Sequence, residues 1–148
     1  MKKILVSACL LGTPCRYDGK SKPHEKILLL LKREDLCLIP VCGEILGGLP
    51  TPRPAAELCG ERVVTGTGND VTAEYRRGAE EVVRLAGLFG AEAAVLKERS
   101  PSCGSGKIYD GSFSGTLTDG WGVTAAMLKK AGIPVYGESG VEQMLREL

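Results

Sequence analysis

Hydrophobic residues in this chain fall into short unbroken runs that alternate with stretches where they recur every three or four positions. The run "KKILVSA", short and rich in branched residues, predicts a buried strand ending near Ala8. A helix is expected from His24 to about Arg33, with Pro23 just ahead of it, where a missing N–H costs nothing. "LCLIPVC" predicts a second strand, and Pro40 inside it assigns that strand to a sheet edge or to an early end. From Gly43 to Gly68 the chain is rich in glycine and proline and carries little periodicity. A long loop is expected there, and loops of that length in compact domains are usually functional.

Asp70 is placed to cap a long helix, "VTAEYRRGAEEVVRLAGLFG", in which Val71, Tyr75, Val82, Leu85 and Phe89 recur at helical spacing before a closing glycine. Then "AEAAVLK" reads as a third strand and "WGVTAAMLKKAG" as a helix closed by Gly132. "IPVYG" reads as a fourth strand and "SGVEQMLREL" as a last helix. This alternation predicts an α/β fold: one domain over residues 1–148, a three-layer sandwich with a mostly parallel sheet of about four strands. In such sheets ligands bind beyond the carboxyl ends of the strands, at a topological switch point.

Composition changes the picture in three ways. A chain of 148 residues buries roughly two-thirds of its unfolded surface and needs no covalent staple. With 19 basic and 18 acidic residues and no long run of one sign, nucleic acid is not an expected partner. The apolar segment of "MKKILVSACLLG" is short and lacks a small-residue cleavage site, so it reads as a strand rather than a signal peptide, and no stretch is long enough to span a membrane. The expected location is the cytoplasm. In that reducing compartment the cysteines at 9, 15, 37, 42, 59 and 103 are expected to be thiols or metal ligands rather than disulfides.

Three of them share a setting. Cys9 follows the first strand, Cys42 the second, and Cys103 lies a few residues beyond the third, each with glycine close behind. Parallel strands present those exits on one edge, so three distant thiols converge there. Each alone would pass for a small buried residue; together they suit zinc or an iron–sulfur cluster, because soft sulfur ligands select those metals. No C-x-x-C pair exists to suggest a zinc ribbon or a thioredoxin-like motif, and His24, the only histidine, reads as a solvated residue at a helix start. Three protein ligands leave a coordination position open, which points to substrate binding at the metal.

Polar groups accompany the thiols. Glu44 is a candidate general acid or base and Ser100 a candidate hydroxyl at the same edge. Arg16, Tyr17 and Asp18 of "CRYDG" offer either turn chemistry or ligand contacts. Arg53, stiffened by Pro52 and Pro54, is a candidate bidentate grip on a carbonyl or carboxylate. The "TGTGND" loop lacks the third glycine and the lysine of a nucleotide cradle, and Trp121 suits either a core or a pocket wall.

Taken together, "SACLLGTPCRYDG", "PVCGEILGGLPTPRPAAE", "LKERSPSCG" and "YDGSFSGTLTDGWGVTAAML" closely resemble the bacterial thiouracil desulfidase family, long labelled a domain of unknown function, over nearly the whole chain. The resemblance implies a [4Fe–4S] cluster held by Cys9, Cys42 and Cys103, with the remaining iron open to the sulfur of a small thiocarbonyl substrate such as thiouracil. It implies Glu44 and Ser100 as the acid and the hydroxyl of a non-redox C–S cleavage, hydrolase- or lyase-like, that releases hydrosulfide. Gly43 stands where the family usually has proline, and Cys15 is near enough in sequence to be a fourth ligand. Two other readings stand beside this one: a non-catalytic zinc or iron–sulfur accessory or sensor module, and a metal-free domain that binds small anions.

Overall fold

The first apolar run folds as β1 (Lys2–Ser7), in which Ile4, Leu5 and Val6 have no exposed surface. A continuous buried run of this kind marks a strand covered on both faces. The computed structural model describes residues 1–148 and continues through a 3₁₀ turn, Ala8–Leu11, to α1 (Glu25–Leu30), β2 (Leu36–Val41) and α2 (Gly43–Leu46). Next come β3 (Ala56–Cys59), β4 (Arg62–Thr65), α3 (Thr72–Phe89) and β5 (Ala93–Leu96). The chain ends with β6 (Ser105–Tyr109), β7 (Leu117–Trp121), α4 (Val123–Lys130), β8 (Val135–Gly137) and α5 (Val141–Glu147). No helix is long and apolar enough to cross a membrane.

The central sheet has the order β2-β1-β5-β8 and is parallel throughout. Side chains alternate across it. Ile4, Val6, Ala93 and Val95 pack with Ile27 and Leu30 of α1 and Val141 and Met144 of α5. Leu5, Ala94 and Leu96 pack with Val82 and Ala86 of α3 and with Ala125 and Leu128 of α4. Two helices on each face make the expected three-layer α/β sandwich. Pro40 lies in β2, which pairs only with β1, so its missing N–H falls on a sheet edge. The chain steps from β1 outward to β2 and then crosses to β5 on the other side of β1, so the switch point lies at the carboxyl ends of β1 and β5.

The segment 43–68 corrects the expectation of a long loop. It holds α2 and the antiparallel hairpin β3–β4, which turns through Gly60 and Glu61 with Gly60 at φ 65°. A second hairpin, β6–β7, likewise lies where no strands were expected. The cap position of α3 falls on Val71, whose side chain makes no capping bond; Asp70, expected there, stands one residue earlier and accepts the Thr72 amide at 2.9 Å, and α3 closes at Gly90 with φ 66°. Phe89, expected on the apolar stripe, is 47 % exposed as the last residue of α3.

Short α2 is seated by two glycines. A Cβ on Gly47 would lie 2.0 Å from the Glu74 carbonyl oxygen, and one on Gly78 would lie 1.7 Å from that of Gly43. Backbone therefore touches backbone between α2 and α3, and the position of Glu44, the second residue of α2, depends on it.

Candidate active site

Each thiol is delivered by the end of a strand. Cys9 lies in the 3₁₀ turn directly after β1, and Cys42 is the residue between β2 and α2. Cys103 follows β5 in a loop docked on the start of α4, where Val123, Thr124 and Gly122 amides donate to the carbonyls of Pro101, Ser102 and Gly104 at 2.9, 2.8 and 2.8 Å. A Cβ on Gly122 would stand 2.5 Å from the Ser102 carbonyl, so only glycine permits that docking. Cys9, Cys42 and Cys103, together with Cys15, line one cavity of about 540 Å³ at the carboxyl edge of the sheet. Cys37, at the amino-terminal end of β2, and Cys59, exposed on β3, do not line it.

The thiols are crowded. Cys42 Sγ lies 3.9 Å from the Cys15 carbonyl, and the Cys15 thiol has Cys42 and Cys9 as neighbours. Its contact with Cys42 favours the thiolate, but the Cys9 contact and burial outweigh this and raise its pKa. Contact with Cys15, then burial, holds the Cys42 thiol far above the ordinary range. Burial pushes Cys103 up to about 12, against the Ser7 hydroxyl that donates to its sulfur at 3.5 Å. These are apolar surroundings in which a cation is needed to hold the thiolate forms. No three His, Cys, Asp or Glu side chains converge on a point where a single metal ion would sit. Four thiols lining one cavity are a soft sulfur donor set that fits an iron–sulfur cluster.

Glu44 points into this cavity with its side chain 14 % exposed. Its Oε2 accepts from Arg53 Nε at 2.8 Å and from Arg53 Nη2, while Oε1 is not engaged by Arg53. The remaining Arg53 donors go to the Pro50 carbonyl at 3.2 Å, Thr51 Oγ1 at 3.1 Å and the Cys15 carbonyl at 2.9 Å. Arg53 thus lines the cavity, but the carboxylate it grips is that of Glu44. Tyr75 of α3 faces the same carboxylate; burial first, then the Glu44 charge, holds its phenol well above the ordinary range. Ser100 Oγ accepts the amides of Ser102 and Cys103, both at 3.1 Å, so its own proton is left to donate into the cavity it lines.

Gly43 is explained by what surrounds it. A Cβ there would meet Thr124 Oγ1 at 2.7 Å and Ser102 Oγ at 2.9 Å, two buried hydroxyls bonded to each other at 2.8 Å. The hydroxyl pair occupies the room a side chain would need.

Other expected residues separate. Arg16 and Tyr17 line the cavity; Asp18 does not, because its carboxylate turns back to the Lys20 amide at 3.0 Å. Trp121 lies at the end of β7 with the Lys129 ammonium 4.2 Å above its ring, away from the cavity. His24 and the "TGTGND" turn also lie outside it. Sequence reasoning missed Ser7, Lys97, Arg99 and Phe113 and read Tyr75 as core, although all five line the cavity. Tyr75 carried no separate signal, since it sits on the apolar stripe of α3.

Fold and site define an α/β protein with a thiol-lined pocket at its switch point. The model of the 2-thiouracil desulfurase family matches residues 4–140, and the chain belongs to that family. It is 44 % identical, over 96 % of its length and 99 % of the relative's, to the uncharacterized protein YbbK of Bacillus subtilis strain 168. Among solved structures it is similar to a [4Fe–4S]-dependent thiouracil desulfidase, TudS, with a TM-score of 0.93 and 48 % identity, covering 99 % of this chain and 97 % of the other.

Proposed function

We propose that this protein is a [4Fe–4S]-dependent desulfidase that removes sulfur from a small thiocarbonyl compound such as thiouracil and releases hydrosulfide. What carries the reading is one cavity lined by Cys9, Cys42 and Cys103, beside an arginine-held glutamate and a hydroxyl free to donate. Membership of the family supports it. The residues 1–148 act as one domain, working in the cytoplasm with no nucleic acid or membrane partner.

The overall change is hydrolytic. One C=S bond and one water become one C=O bond and one hydrogen sulfide, and no electrons enter or leave. Cys9, Cys42 and Cys103 would hold the cluster, which when bound would supply a Lewis-acidic iron for the thiocarbonyl sulfur. Cys15 stays outside the ligand set because Cys9, Cys42 and Cys103 are the thiols of the strand-exit motifs; its carbonyl is engaged by Arg53.

Glu44 takes the proton of the attacking water on Oε1, the oxygen that Arg53 leaves free, and returns it to the departing sulfur. Arg53 keeps that oxygen aimed by fixing the other one with two donors. Ser100 donates its hydroxyl proton to a ring oxygen or nitrogen of the substrate, so orienting the thiocarbonyl carbon toward the water.

Metal analysis of protein purified and reconstituted without oxygen tests the reading. Iron with acid-labile sulfide is expected at one cluster per chain; stoichiometric zinc, or a protein that assembles no cluster, would contradict it.

A further inference from the structure

Only two non-glycine residues in the chain have positive φ, Arg99 at 67° and Phe113 at 56°, and both line the cavity. For a bulky aromatic residue this backbone region is costly and persists only where its surroundings over-determine it. The surroundings of Phe113 do so. The loop 110–116 joins β6 to β7 and is closed at its base by the Asp110 amide on the Thr116 carbonyl at 3.0 Å. Glu57 Oε1, from β3 across the cavity wall, accepts the amides of Gly111 at 3.0 Å and Phe113 at 3.2 Å. Asp110 accepts the Ser112 amide at 2.9 Å, and Gly111 and Gly115 supply the other left-handed positions at φ 92° and 77°.

All of this fixes in place a ring that contributes little to the core: Phe113 is 42 % exposed. One side of the ring rests near Gly66, where a Cβ would stand 3.6 Å from it. Tyr17, also exposed, lines the same mouth from the loop after Cys15. A loop held this firmly around an exposed aromatic ring has no packing reason to be so. It makes sense as a preformed flat surface beside the reacting groups.

We propose that Phe113 is the specificity-determining residue of this cavity, its ring face forming the platform on which a planar heterocycle lies while the Glu44 and Ser100 side act on its thiocarbonyl. The inference rests on the reading of this cavity as the substrate site. It adds that the preferred substrates are flat rings rather than acyclic thioamides, and that Glu57 acts only through the loop, as a positioning residue.

The test is calorimetric binding of uracil to the cluster-loaded parent and to Phe113→Ala, Phe113→Leu and Phe113→Tyr, with iron content measured on each. Loss of a base-stacking aromatic weakens binding by roughly fivefold to a hundredfold. Both the alanine and the leucine variants should weaken uracil binding by at least about fivefold, and tyrosine should restore it. Leucine binding as tightly as the parent would mean that bulk alone matters and would overturn the proposal. So would a tyrosine variant as weak as alanine, or a parent that does not bind uracil. If uracil binding follows the ring as expected but the loaded parent releases no sulfide from thiouracil, the desulfidase reading falls and the ring platform stands.

Discussion

Arg53 fixes Glu44 by one oxygen only: Nε and Nη2 both end on Oε2, and Oε1 is left unengaged by Arg53. Two donors on one oxygen set the plane of the carboxylate and leave the other oxygen available for a proton. Because every other Arg53 donor is tied to the 50–53 loop and to Cys15, the pair also links that loop to the thiols.

Glu44→Gln should keep full iron and sulfide content, because an amide of nearly the same shape still accepts from Arg53. Turnover should fall by roughly two orders of magnitude, the usual worth of a positioned acid or base. Iron analysis and the sulfide-release rate on the same preparation check this. A glutamine variant as active as the parent would place the proton path elsewhere.

Arg53→Lys retains the positive charge but loses the two-pronged grip. We expect the cluster to assemble and the rate to fall about tenfold, since a point charge no longer fixes the carboxylate plane. Arg53→Met should be worse for folding than for chemistry: removing one partner of a buried pair costs about 3–5 kcal/mol. Thermal unfolding of the two variants separates these effects.

Much of this arrangement was readable before any coordinates. Cys9 and Cys42 at the exits of the first two strands, and Cys103 a few residues beyond the third, followed from the short apolar runs, and parallel pairing then put the thiols on one edge. The Pro40 edge strand was legible for a similar local reason. The hairpins β3–β4 and β6–β7 were not, because strands of only four and five residues, with a glycine inside β6 and β7, carry too few alternations to stand out. Tyr75 was hidden because a cavity residue on a buried helix face has the same spacing as a core residue. The Arg53–Glu44 pairing was also illegible: both residues were singled out, but nothing local says that an arginine in a proline-stiffened loop meets a glutamate nine positions earlier.

Gly78→Ala should destabilise the fold by about 1–3 kcal/mol, the usual cost of overpacking, because its Cβ would stand 1.7 Å from the Gly43 carbonyl. Relief requires α2 to move off α3, and Glu44 moves with it. Lower thermal stability together with a lost rate and retained iron is the expected pattern. An unchanged melting temperature would show that the helices separate freely.

Asp70 gives a pH signature remote from the thiols. Hydrogen bonds from Thr72, side chain and amide, and then from Arg62 hold its carboxyl down at about 2, below its ordinary value of 3.8. A depressed pKa in the folded state contributes stability that is present above the unfolded value and lost as pH falls through the folded one. Asp70→Ala should therefore melt below the parent at neutral pH. The gap between the two should close as pH drops from about 4 toward 2. A gap that persists at the acid end would mean that the Thr72 contact, not the charge, is what matters.

The cysteines divide into groups with opposite expectations. Serine at 9, 42 or 103 should lose most of the iron, because a hydroxyl is a poor ligand for a soft metal. Alanine at 37 or 59 should leave iron unchanged, since neither thiol lines the cavity. Cys15→Ala is the informative case: retained iron is expected, and its loss would mean a closed four-thiol site.

The central claim is that these three thiols, with Glu44 and Ser100, make a hydrolytic desulfidase. Its most direct test is the stoichiometry of products when loaded protein meets thiouracil without oxygen and without any reductant. The account predicts uracil and sulfide in equal amounts over many turnovers, in proportion to cluster content. Sulfide that appears only when a reductant is supplied, or none from fully loaded protein, would contradict it.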